Sequence, residues 1–144
     1  MTTAQLAEAV KDALAAGSFT QSFTPTRVAL PEFKLVDLGT LTVTVVPREM
    51  TLSLDSRRDN ACEMGIDVAV HKRVSDTGTT TVDALMALVQ EIADHMTRRD
   101  LTAAGGTAFW RETRIDPLYA PEELRQNRVF VSVLRLDYLE RQIA

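Results

Sequence analysis

Hydrophobic positions recur along this chain with two periods, and the switches between them outline its elements. Leu6, Val10, Ala13 and Leu14 stand three and four residues apart, while Gln5, Glu8, Lys11 and Asp12 fill the opposite side. This is the pattern of an amphipathic helix, which Gly17 ends. Val82, Leu85, Val89, Ile92 and Met96 repeat the stripe later, supported by Leu88 and Ala93, with Thr80 or Thr81 as the cap of a second helix that covers a sheet.

Between the helices the period falls to two. Pro25 and Pro31 bracket an extended piece containing Val28 and Leu30, an edge strand or an arm, because each proline biases its predecessor away from helix. Residues 41–46, Leu-Thr-Val-Thr-Val-Val, read as a β-branched strand that stops at Pro47. Met50, Leu52 and Leu54 then alternate with Thr51 and Ser53; after a polar stretch over 55–60, Cys62, Met64, Ile66, Val68 and Val70 occupy every second position. Two alternating segments joined by a polar connection predict an antiparallel hairpin with one face in the core.

Beyond the second helix, Gly105-Gly106 reads as a flexible connection, residues 109–115 as a strand and Asp116-Pro117 as a turn. Pro121-Glu122-Glu123-Leu124 has proline at a first helical position and acids near the positive end of the dipole. The final run, with Val129, Phe130, Val131, Val133, Leu134 and Leu136, is apolar on both faces at first and predicts a central strand covered on both sides. The sum is an α+β fold: a mostly antiparallel mixed sheet packed against two main helices, with a long hairpin. Its core joins Met64, Ile66, Val68 and Val70 to the stripe of the second helix.

Composition narrows the class. A chain of 144 residues is the size of one domain, here 1–144 with an N-terminal helix and extended arm over 1–31. Hydrophobic and charged shares of 45% and 25% fit neither disorder nor a membrane protein. With 20 acids against 16 bases, the net charge of -4 argues against a dedicated nucleic-acid binder, which needs a basic face. Glu8 and Asp12 interrupt anything resembling an export signal, and one cysteine makes no internal disulfide.

The candidate chemistry is thin. Cys62 as nucleophile with His71 as base is the sharpest reading, yet nine residues on one strand separate them by roughly 30 Å and opposite parity turns them to opposite faces. Cys62 is therefore read as a small buried apolar residue. His95, late in the second helix, suits the negative end of the dipole. The two histidines form no HExxH pair, and Gly105-Gly106 lacks phosphate-loop spacing. Asp55 and Asp59 at a turn, and Glu122 and Glu123 at a helix start, have structural reasons to be there. No catalytic residue, cofactor-binding residue or metal ligand is assigned, and no cofactor is expected. Arg57-Arg58, Lys72-Arg73 and Arg98-Arg99 are interleaved with acids, which reads as a solvated face or subunit salt bridges. Candidate contact residues are Arg57, Arg58 and Asp59 in the polar connection 55–61, Asp76 in the loop 75–80, and Trp110 and Arg114 as aromatic and arginine anchors. Both polar stretches are expected to be loose in the isolated subunit and fixed on assembly. The alternative for Trp110 is a place in the core.

The order of these segments resembles a known group. An N-terminal helix is followed by Leu-Pro-Glu-Phe (30–33), Leu-Thr-Val-Thr-Val-Val-Pro-Arg (41–48), Met-Gly-Ile-Asp-Val-Ala-Val-His-Lys-Arg (64–73) and the helix at 85–94. Asp-Pro-Leu-Tyr-Ala-Pro-Glu-Glu-Leu (116–124) and Arg-Val-Phe-Val-Ser-Val-Leu-Arg-Leu-Asp-Tyr (128–138) complete it. Over most of its length the chain resembles the small neck proteins of tailed bacteriophages, of the tail terminator or tail completion type. That resemblance implies a structural virion protein without catalytic residues, forming a homo-oligomeric ring, commonly a hexamer. The ring ends tail-tube growth and joins the tail to the head connector. Implied partners are the chain itself, a tail tube protein and a head-tail connector or stopper protein; DNA only passes through the lumen and no membrane is involved. The implied location is the virion tail or neck, assembled in the bacterial host cytoplasm. The competing readings are another neck component (a stopper or adaptor), a small cytoplasmic enzyme using Cys62, and a module that binds peptides by strand addition.

Overall fold

A computed structural model describes residues 1–29 and 40–143. In chain order the elements are α1 (Thr3–Ala15), β1 (Pro25–Arg27), β2 (Thr42–Leu54), β3 (Asp59–Arg73), α2 (Thr79–Met96), β4 (Leu101–Ala103), β5 (Gly106–Ile115), α3 (Pro121–Gln126) and β6 (Val129–Ile143). The strands form one six-stranded sheet in the order β1-β2-β3-β6-β5-β4. Among the described strands only β1 runs parallel to its neighbour, so the expected mostly antiparallel α+β sheet is the one observed.

A capping box opens α1: Gln5 N donates to Thr2 Oγ1 at 3.1 Å, and Thr2 N donates to Gln5 Oε1 at 2.8 Å. Its stripe of Leu6, Ala7, Val10 and Leu14 is buried. This helix touches β1 and β2 on one side and β4 on the other, so the sheet curls until its two edges approach the same helix. The stripe of α2 joins it in one core cluster with Met64, Ile66, Val68 and Val70 of β3, as the two periods predict. His95 does more than face the dipole of its own helix. Its Nε2 lies 2.9 Å from the carbonyl oxygen of Ala13 in α1, and Phe19 stands edge-on to its ring.

Several expectations are corrected. The strand that reaches Pro47 continues through it to Leu54, with a register shift between Pro47 and Glu49. Proline is tolerated there because β1 covers only Val43 to Val45, so the outer edge of β2 is open at Pro47 and no neighbour asks for its N–H; the bulge follows at Arg48. Neither Thr80 nor Thr81 caps α2. Gly78 holds the cap position, and the Asp76 carboxylate accepts from Gly78 N at 2.8 Å and from Thr81 Oγ1 at 3.0 Å. Gly105-Gly106 is no loose connection: Ala104 and Gly105, both at positive φ, make a tight turn between β4 and β5, in which Ala103 pairs with Gly106. The three-residue β4 carries no periodicity and so escapes a reading by period. β6 is central as expected, but it is buried on both faces only at Val129 and Phe130. Beyond them, Leu134, Leu136 and Tyr138 face the core while Arg135, Asp137 and Leu139 are half-buried. Of the extended arm, residues 25–27 form the edge strand β1, whereas Leu30 and Pro31 lie outside the described residues.

Candidate interaction surface

Toward its tip the hairpin of β2 and β3 leaves the β2 side chains uncovered, exposed from Glu49 to Leu54. Cross-strand pairing places Met50 opposite Met64 and Leu52 opposite Cys62, so the β2 residues point to the same face as the core. Yet Met64 and Cys62 are buried, whereas Met50, Leu52 and Leu54 are 51%, 59% and 78% exposed. The expectation that this alternation enters the core is thus corrected. Period sets the face a side chain points to; whether anything lies over that face is decided by helices elsewhere in the chain.

The tip forms a hydrogen-bonded turn. Asp55 N and Ser56 N donate to the carbonyl of Asp59 at 3.0 Å, and Ser56 Oγ accepts from Arg58 N and Asp59 N. Asp55 meets Arg141 at 3.5 Å. Arg57 and Arg58 are exposed, and among the described residues no ion pair reaches either. The second polar loop is also held, by Asp76 and by a bond from Arg128 to the Ser75 carbonyl at 3.1 Å.

On the opposite face of the same hairpin Arg48 gathers three acids. Its Nε donates to Asp67 at 2.8 Å, its Nη2 to Asp137 at 2.9 Å and its Nη1 to Glu49 at 2.9 Å. Burial alone would ease the proton off this guanidinium, but the flanking carboxylates more than offset it and raise its pKa.

The residues singled out in the sequence occupy three separate places. Arg57, Arg58 and Asp59 sit at the hairpin tip, and Asp76 sits beyond the far end of β3, where it is already engaged at the start of α2. Trp110 and Arg114 lie on β5. Trp110 is half-buried against the core, in one row with Met50, Met64 and Tyr138; its Nε1 donates to Thr113 Oγ1 at 2.8 Å. Arg114 is exposed and pairs in register with Arg135.

Cys62 and His71 stand near opposite ends of β3, paired with Leu52 and Thr42. Burial, with the Glu140 carboxylate second, pushes the Cys62 thiol upward, away from the thiolate a nucleophile needs. Burial lowers His71 to about 4. The two groups do not meet.

One feature has no signature in the sequence. A groove of about 500 Å³ opens between α1 and β4, with Ala9, Leu101 and Ala103 among its apolar lining and Glu8, Asp12 and Asp100 among its polar lining. Arg27 also borders it, 3.6 Å from Glu8. Its walls come from opposite edges of the sheet, brought together by the curl, so no local spacing reveals it.

No family model matches the chain, and no curated protein matches it in sequence. Among solved structures the fold is similar to a chain of the "Virion of native gene transfer agent (GTA) particle", with a TM-score of 0.63 at 14% identity, covering 96% of each chain. Among the described residues no helix is long and apolar enough to cross a membrane, and no group of three or more His, Cys, Asp or Glu side chains is placed to hold a metal ion.

Proposed function

We propose that this protein is a structural, non-enzymatic component of a phage-like virion, and within it a tail terminator or completion protein. Its homo-oligomeric ring, a hexamer, ends tail-tube growth and presents a face to the head connector. The observation that carries this reading is the likeness in fold to a virion chain, which extends over 96% of both chains rather than over a shared fragment. The exposed apolar hairpin adds to it, since a side-chain stripe of this kind suits a subunit that meets partners. A cyclic ring requires a heterologous contact and leaves a whole ring face free for another protein. The net charge of -4 suits a lumen through which DNA slides without being held.

The test is electron microscopy of the purified protein, alone and with tail tubes, beside particles made without its gene. Rings seated on tube ends, and gene-deleted particles with tails of uneven length that fail to join heads, are the expected results. Tails of normal, uniform length joined to full heads in the deletion would end the terminator reading. Rings found only on the portal side would point instead to a stopper or adaptor.

A further inference from the structure

We infer that the β2–β3 hairpin is an arm that docks into the α1/β4 groove of a second copy of this chain; the inference rests on the ring reading and names its contact. The arm offers Met50, Leu52 and Leu54, all more than half exposed, and ends in Arg57 and Arg58. The groove offers an apolar lining that includes Ala9, Leu101 and Ala103, with three acids, Glu8, Asp12 and Asp100, against one base, Arg27; Glu8 is engaged by Lys11 at 2.9 Å and by Arg27 at 3.6 Å, and Asp100 accepts from Trp110 N at 2.9 Å. Apolar stripe meets apolar lining and a basic tip meets an acidic rim.

Within one subunit the two surfaces stay apart: the stripe is exposed and the groove is open. Because arm and groove are different surfaces, the contact is heterologous, and repeated around an axis it closes a ring or continues as a filament. The alignment of charges also gives the contact a direction, since a tip that enters the groove brings its arginines to Asp12, whose side chain is 74% exposed and whose pairing with Lys11 is long, at 3.9 Å.

The experiment measures self-association of the full chain by light scattering and sedimentation. Leu52→Glu/Leu54→Glu is expected to weaken association at least about tenfold, as truncating an interface anchor does. Its thermal unfolding should stay near that of the wild type, because both side chains are solvent-exposed in the subunit. Arg57→Glu/Arg58→Glu should weaken association as well, and adding Asp12→Arg to that pair should recover part of the loss. In a Cys62→Ala background, Leu54→Cys and Ala9→Cys copies mixed under oxidation should cross-link to each other. Cross-linking of Leu54→Cys only to itself, rings that persist in Leu52→Glu/Leu54→Glu, or a wild-type chain that is monomeric at all concentrations would each overturn the arm-in-groove contact. Persisting rings that still cap tail tubes would do so while leaving the proposed function standing. Intact arm-dependent rings that ignore tail tubes would support the contact and sink the terminator reading.

Discussion

Arg48 lies over the backbone of Gly65, so that a Cβ added at Gly65 would collide with its guanidinium. The missing side chain leaves the path along which Arg48 crosses β3 from β2 to reach Asp137 on β6. Gly65→Ala should therefore act mainly through the ion pairs it displaces, since the far end of arginine is free to move. Expected is a loss of about 1–2 kcal/mol in urea unfolding. The same substitution in an Arg48→Ala background should cost markedly less, and a double-mutant cycle reads the difference. Equal costs in both backgrounds would mean that the glycine is needed for some other reason.

His71, buried in β3, is lowered from the usual 6.5 to about 4. A histidine held neutral in the fold takes up its proton earlier in the unfolded chain, so unfolding binds protons between these two values. Stability is then full above about pH 6.5 and falls as pH drops toward about 4, by up to ~3 kcal/mol from this group. Urea midpoints for the wild type and His71→Gln, measured at pH 7.5 and pH 5, should show a smaller pH difference in the variant. An identical difference would assign the acid sensitivity to carboxylates instead.

Ile66 in β3 and Ile92 in α2 are both fully buried members of one core cluster. Truncation of either to alanine is expected to cost about 2–5 kcal/mol, set by how far the surroundings close over the cavity. Chemical denaturation checks this directly, and a cost below about 1 kcal/mol at both sites would contradict the packing.

Cys62 is wholly buried and its thiol is pushed upward by burial and by Glu140. A thiol-specific reagent at pH 8 should label it slowly in the native protein and at once in denaturant. Cys62→Ala should leave ring formation and any tail-capping activity unchanged. Rapid native labelling, or lost function in the alanine variant, would revive a chemical role for this residue.

Asp76 holds the entry to α2 by accepting from Gly78 N and Thr81 Oγ1. Asp76→Ala should lower stability by about 1 kcal/mol, the usual cost of a lost helix-start contact. If it impairs assembly without changing the unfolding midpoint, its carboxylate serves a partner rather than the helix.

Periodicity by itself determined α1, α2, β3 and β6, because a stripe at three-and-four spacing or at spacing two needs one buried face whichever partner supplies the cover. Leu6, Val10 and Leu14, or Ile66, Val68 and Val70, could be assigned to the core from order alone. The distance between Cys62 and His71 was equally legible, since both lie on one strand. Tertiary structure alone decided the rest. Met50, Leu52 and Leu54 have the same alternation as Cys62, Met64 and Ile66, yet they are exposed, because among the described residues nothing packs over them. Pro47 stays within β2 because an open edge removes the need for its missing N–H, a condition set by the position of β1. The α1/β4 groove arises only when the sheet curls and brings its edges to one helix. Local sequence specifies which way a side chain points; what lies over it depends on segments distant in the chain, and on that difference both the arm and the groove rest.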